Sequence, residues 1–146
     1  MNATLSVMAL GVLLLLIIPG LVFSRIRRKL EALISLRFVD EEILVATTRA
    51  NFLGEKSKGG AQIRGNGALV LTRNELYFIR AVPQKEFRIP IRFIRNVSMP
   101  RFFNGKSIFV PLLCVTFKTE SGEDSIAWAL RNPKQWKNAI DRAIQS

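Results

Sequence analysis

The stretch Gly67-Ala68-Leu69-Val70-Leu71-Thr72-Arg73-Asn74-Glu75-Leu76-Tyr77-Phe78-Ile79 decides the fold of this chain. Two apolar runs, Ala68 to Thr72 and Leu76 to Val82, are rich in the branched and aromatic residues that suit a pleated, buried surface. Arg73-Asn74-Glu75 between them supplies turn chemistry, so the segment reads as a β-hairpin.

Outward from this hairpin the pattern stays β. Upstream, Glu42 to Asn51 carries Ile43, Val45 and Thr47 on one parity. Downstream, Glu86 to Ile91 and Phe93 to Met99 alternate apolar residues with arginine, the signature of half-buried strands, with Pro90 and Pro100 at edges or bends because proline cannot donate to a ladder. Leu112 to Thr119 and Ser125 to Leu130 flank Glu120-Ser121-Gly122-Glu123-Asp124, a second hairpin, which makes about seven strands.

The chain closes with a helix. Asn132 suits the N-cap, Pro133 the first helical position and Gln135 the third residue of a capping box. Trp136, Ala139, Ile140, Ala143 and Ile144 then share one face, which must be buried. A curled antiparallel sheet leaves an open end, and a helix bearing a tryptophan is a natural plug for it.

The phrase Gly67 to Ile79, followed by Ile89-Pro90-Ile91-Arg92-Phe93-Ile94 and Val97, Leu113-Cys114-Val115-Thr116-Phe117 and a closing helix with Trp136 and Ile140, resembles a PH-like domain of the GRAM or bacterial PH type. The resemblance covers about residues 41 to 145. It implies a mainly β fold: a seven-stranded, strongly bent β-sandwich or partial barrel capped by the C-terminal α-helix. It also implies binding of phosphoinositides or other anionic headgroups, or service as a protein-interaction module.

Ahead of this domain stands an apolar run, Leu5 to Phe23, in which 13 of 19 residues are Leu, Ile, Val or Phe, and no Asp, Glu, Lys or Arg occurs before Arg25. At a rise of 1.5 Å per residue, about 20 apolar residues cross a hydrocarbon core of about 30 Å. The run therefore reads as one transmembrane anchor over residues 1–24, with a kink expected at Pro19-Gly20. A cleaved signal peptide, leaving a secreted domain, is the alternative. No basic stretch precedes the run, whereas Arg25, Arg27, Arg28 and Lys29 follow it, and this asymmetry favours an anchor with Met1 outside and residues 25–146 in the cytoplasm.

Residues 25–38 form a basic amphipathic juxtamembrane helix, with Ile26, Leu30, Leu33 and Ile34 at helical spacing. Packing on the following domain is its expected use, with headgroup contact next. Residues 39–146 suffice for one small domain. The net charge of +11 comes entirely from beyond Ser24 and suits an anionic leaflet, each Lys or Arg near such a surface contributing about 1 kcal/mol. Anionic phospholipid and a protein partner are thus the expected partners; nucleic acid is not, because no nucleic-acid-binding fingerprint accompanies the charge.

Three groups of side chains are candidates for recognition. Lys56 and Lys58, with Arg64, stand around the glycines of a loop from Gly54 to Gly60 and beyond. PH domains that bind phosphoinositides place a lysine late on the first strand and two spaced basic residues on the second; here the spaced pair lies in the loop, and Gln62 stands where Arg64 would find its partner. Such a loop can cradle phosphate or be a plain solvated surface. Arg88 and Arg92, with Arg95 and Arg101, form either the wet face of a sheet or a patch for acidic headgroups. Phe102 and Phe103, adjacent in a tight loop, suggest one exposed aromatic able to act as a wedge or docking knob.

Catalysis is not expected. The chain has no His, the single Cys114 sits in an apolar strand and can form no internal disulfide, and Asp40-Glu41-Glu42 and Glu123-Asp124 are not spaced for hydrolysis or calcium. Gly65-Asn66-Gly67 lacks the rest of a dinucleotide or phosphate loop. No cofactor or metal is expected.

Overall fold

A computed structural model describes residues 2–39 and 41–146; Met1, and Asp40 of the acidic triplet, lie outside the described residues. The elements are α1 (Asn2–Arg37), β1 (Ile43–Glu55), β2 (Gly65–Thr72), β3 (Glu75–Arg80), β4 (Lys85–Pro90), β5 (Ile94–Ser98), β6 (Leu113–Thr119), β7 (Gly122–Ala129) and α2 (Pro133–Gln145), with short 3-10 turns at Lys56–Lys58 and Ile91–Phe93. All seven strands belong to one antiparallel sheet of order β4-β3-β2-β1-β7-β6-β5, which bends but does not close.

The bend lies in β1. Its first part pairs with β2 from Ile43 to Phe52, and its last residues, Asn51 to Glu55, pair with β7. Register breaks between Thr47 and Ala50 and between Phe52 and Gly54 turn the strand from one half of the sheet to the other. Gly54, at φ +132, occupies backbone space that L-residues avoid. These breaks also explain why β1 runs to Glu55, past the expected end at Asn51: the two-residue parity fails at each bulge.

Inside the bend lies the main core. Phe52, Phe78 and Trp128 are fully buried and packed with Phe87, and Trp136, Ile140 and Ala143 of α2 close the open end. Ile144, expected on the same stripe, is 40% exposed. The helix starts without the expected side-chain cap. Asn132 adopts the left-handed conformation (φ 56°, ψ 57°), and its backbone carbonyl instead accepts from the amides of Gln135 and Trp136.

Both outer faces of the bent sheet are covered. Over β2 and β3, α1 lays Leu30 and Ile34, with Phe38 just past its end, against Ala68, Val70, Tyr77 and Ile79. That contact accounts for the near-continuous apolar runs of the hairpin: Leu69 and Leu71 face the main core while Ala68 and Val70 face the helix. Each of these three side chains gains about 1.5 to 3 kcal/mol from burial. The other outer face, with Leu53, Leu112, Cys114 and Ala127, lies under the β5–β6 loop and its buried Phe103.

The juxtamembrane segment and the apolar run are one element. α1 is a single 36-residue helix that continues through Pro19, so no linker separates the run from the turns that pack on the sheet. It is the one described helix long and apolar enough to cross a membrane, and its apolar residues stand uncovered, Leu15 and Leu16 among the most exposed in the chain.

Candidate functional site

The path of α1 along the sheet tells which end of the domain the apolar run leaves from. Phe23, Ile26 and Arg27 face Thr48, Arg49 and Asn66; Lys29 and Leu30 face Arg80, Ala81, Val82 and Gln84; Leu36 and Arg37 face Tyr77, Glu86 and Arg88. The run therefore emerges beside the start of β2 and the β3–β4 turn. Arg73, in the β2–β3 turn, marks the far end.

Two loops join at the emerging end. Arg80, buried to 7% exposure, donates from Nη1 to the Ile63 carbonyl at 2.7 Å and from Nε to the Pro83 carbonyl at 2.9 Å, tying the β1–β2 loop to the β3–β4 turn. Ile63, Arg64 and Val82 remain exposed on this rim. The β5–β6 loop docks onto the same β1–β2 loop: Asn104 Nδ2 donates to the carbonyls of Glu55 (2.8 Å) and Gly59 (3.2 Å), and Lys106 Nζ to those of Leu53 (3.0 Å) and Gln62 (3.4 Å). The Gln62 side chain bonds Glu55 from both its amide ends and also donates to the Gly59 carbonyl. Burial, with the charge of Arg64 nearby, holds the Lys106 ammonium below its ordinary pKa.

The basic candidates fall into separate settings. Lys58 Nζ lies 2.7 Å from Glu55 Oε2, and Lys85 Nζ lies 3.5 Å from Glu55 Oε1, so a nearly buried carboxylate already sits between the two ammonium groups. The Glu55 hydrogen bond raises the Lys58 pKa, whereas burial lowers that of Lys85. Between Lys56 and Lys58, Ser57 donates from both its amide and its hydroxyl to the Asp124 carboxylate, fastening this turn to β7. Lys56 and Arg64 are exposed. Arg88 stands on β4, 3.8 Å from a Glu75 oxygen and beside the far turns of α1. Arg92 belongs to the 3-10 turn between β4 and β5, where its guanidinium lies 5.0 Å from the Phe93 ring centre. Lys56, Lys58 and Arg64 thus lie on one loop against which the β5–β6 loop docks, and Arg88 and Arg92 stand on β4 and in the turn after it.

The two adjacent phenylalanines divide. Phe103 is buried and bonds Lys106 through both backbone groups around Asn104-Gly105, whose φ values of 48° and 75° belong to a tight primed hairpin turn. Phe102 is 64% exposed. Along the basic cluster, Arg27 turns partly toward the sheet while Arg25, Arg28 and Lys29 are exposed.

Glu55, Arg80, Lys85, Asn104 and Lys106 were not singled out by the sequence, yet they hold these loops together. Only Asn104-Gly105 carried a readable signal, a dipeptide suited to two successive positive φ angles. Among the described residues no group of three His, Cys, Asp or Glu side chains is placed to hold a metal. Burial raises the Cys114 thiol above its ordinary pKa, which makes it a poor nucleophile.

No protein-family model and no curated protein sequence matches this chain. Solved structures do. The chain is similar to the C-terminal domain of an unknown protein from Leishmania infantum, with TM-score 0.57 and 17% identity over 80% of this chain and 98% of that one. It is also similar to the Vps36 N-terminal PH domain, with TM-score 0.54 and 16% identity over 73% of this chain and 80% of that one. The fold is PH-like. At these identities the likeness concerns the course of the backbone and carries no ligand with it.

Proposed function

We propose that this chain is a non-enzymatic, membrane-anchored PH-like module of the GRAM or bacterial PH type. In this reading α1 crosses the bilayer with the N-terminus outside and residues 25–146 in the cytoplasm. The domain is held against the leaflet, where it docks a resident membrane-protein partner, orients on anionic headgroups, or does both.

The observation that carries the reading is the continuity of α1. One helix includes both the uncovered apolar run and the turns whose Leu30 and Ile34, with Phe38 directly after them, are buried on the sheet, so no linker separates the run from the domain. A bilayer would cover the run and bring the basic end of the helix, with Arg25, Arg27, Arg28 and Lys29, to the cytoplasmic headgroups. The rim beside that end presents Arg64 with exposed Ile63 and Val82, a composition suited to an anionic interface.

Specific phosphoinositide recognition at the β1–β2 loop is the second reading. The presence of Lys56, Lys58 and Arg64 on the one loop against which the β5–β6 loop docks favours it; the Glu55 carboxylate, already paired with Lys58 and Lys85, opposes it.

Alkaline carbonate extraction of full-length chain from membranes, followed by protease protection from each side, tests the anchor. Retention in the membrane with the domain digested only from the cytoplasmic side supports it. Release of a shortened chain lacking the apolar run would establish a cleaved signal peptide and a secreted domain instead. Flotation with vesicles of rising phosphatidylinositol phosphate content, comparing wild type with a Lys56→Ala, Lys58→Ala, Arg64→Ala variant, separates the two readings: an unchanged variant rules out the loop site.

A further inference from the structure

The junction between α1 and the sheet holds a cleft of about 280 Å³. Phe23, Ile26, Arg27 and Leu30 line it from the helix, and Thr48, Arg49 and Asn66 from the sheet. Thr48 and Arg49 lie in the register break between Thr47 and Ala50, where an extra residue lifts side chains out of the regular in-and-out order. The Thr47 hydroxyl accepts the Arg49 amide at 3.1 Å and fixes the bulge from within.

Chemically the cleft has two ends. Arg27 and Arg49 bring two guanidinium groups, neither in an ion pair among the described residues, and Thr48 and Asn66 add a hydroxyl and an amide. This is a donor set for a phosphate diester, because a guanidinium can give two parallel hydrogen bonds to phosphate oxygens. Phe23 and Ile26 continue the apolar surface of the run. Phe23 ends that run, and Arg27 stands one turn farther along, about 6 Å. The headgroup layer extends about 5 to 8 Å beyond the hydrocarbon on each side, so the two arginines fall at the depth of lipid phosphates.

We propose that this cleft binds one anionic glycerophospholipid of the leaflet, its phosphate between Arg27 and Arg49 and its chains along Phe23 and Ile26. The site rests on the reading that α1 spans the membrane, and it is separate from the Lys56, Lys58 and Arg64 loop. It requires the helix and the sheet together, so the lipid would bridge anchor and domain and fix the tilt of one on the other.

The test uses full-length protein in phosphatidylcholine nanodiscs containing phosphatidylglycerol, released into the gas phase for native mass spectrometry. One phosphatidylglycerol retained per chain is expected. Arg49→Gln and Arg27→Gln should each weaken retention about tenfold, the effect of losing a hydrogen bond to a charged group. Arg73→Gln removes the same charge at the far end of the domain and should retain lipid like wild type. Equal retention by the Arg27, Arg49 and Arg73 variants overturns the site, as does an equal loss in all three, which would mark general electrostatics. Circular dichroism of each variant confirms folding, and Arg49, being exposed, can be replaced without opening the core. Carbonate extraction of the same preparations distinguishes the two levels: chain washed off membranes defeats the anchor and the cleft with it, whereas chain that stays in while the variants retain lipid unchanged defeats the cleft alone.

Discussion

The Phe38 ring stands edge-on to the Tyr77 ring, centroids 5.4 Å apart and planes at 73°, while the Arg37 guanidinium lies 4.7 Å from the centre of the same tyrosine ring. The Tyr77 hydroxyl donates to Glu86 on β4 at 2.9 Å. Tyr77 therefore connects the end of the long helix to the edge of the sheet, and these contacts hold the last turn of α1 against the domain. Truncating Phe38→Ala should cost about 3 to 5 kcal/mol of stability, the usual range for a buried phenylalanine. Leu36→Ala, at a position 76% exposed, should change stability by less than about 0.5 kcal/mol. Denaturant unfolding of the two variants checks the contrast, and similar losses would show that the helix end is not docked.

Gly67 begins the hairpin phrase for a steric reason. A Cβ there would stand 2.8 Å from the Phe78 ring and closer still to the Ile79 carbonyl oxygen, and neither backbone nor packed ring can give way. Gly67→Ala should destabilise by about 3 kcal/mol or more, read as a fall in the denaturation midpoint. Gly11→Ala, where a Cβ meets nothing within 4 Å, should leave the domain unchanged.

Phe102→Ala and Phe103→Ala should separate just as their burial does. Loss of Phe103 uncovers Leu53, Leu112 and Ala127 and should cost about 3 to 5 kcal/mol, with faster proteolysis of the β5–β6 loop. Loss of Phe102 should leave stability within about 0.5 kcal/mol, so any effect of that variant on partner or membrane association reports contact at the exposed ring.

Glu75 gives a pH signature. Burial, helped by the charge of Glu41 and opposed by Arg37, raises its carboxyl above the ordinary 4.5. The folded chain then binds this proton more tightly than the unfolded chain. The stabilisation is complete below pH 4.5 and is lost as pH rises through the higher folded value. In Glu75→Gln that contribution to the slope of stability against pH should vanish, and unfolding measured at closely spaced pH values would show the flatter curve. Identical slopes in the two proteins would mean the carboxyl is solvated.

Much of the fold was legible because it follows from periodicity. The two hairpins and the α2 stripe of Trp136, Ile140 and Ala143 reflect which face each element buries, and the N-terminal run is marked by its unbroken lack of charge. What was not legible depends on interruptions of period. The bulges of β1 carried the strand to Glu55 and aimed Thr48 and Arg49 toward the helix, and no local residue pattern announces them. Tertiary context decided the rest: Arg80 and Glu55 look like ordinary surface charges in the sequence, yet both are buried as connectors between loops. In the β6–β7 hairpin the turn is tighter than the five-residue loop expected, since Gly122 already pairs with Thr119.

Immersion depth is the most direct test of a domain fixed to the leaflet by one continuous helix. Spin labels placed singly at Leu14, Arg49 and Arg73 of the full-length chain in anionic vesicles, read by their accessibility to oxygen and to a water-soluble nickel chelate, report three levels. Leu14 is expected near the bilayer centre, Arg49 at the phosphates, and Arg73 in water about 20 Å beyond, the length of the β2 strand between Asn66 and Thr72. Equal water exposure at Arg49 and Arg73, with Leu14 still immersed, would show a domain swinging free of its anchor and would contradict that arrangement.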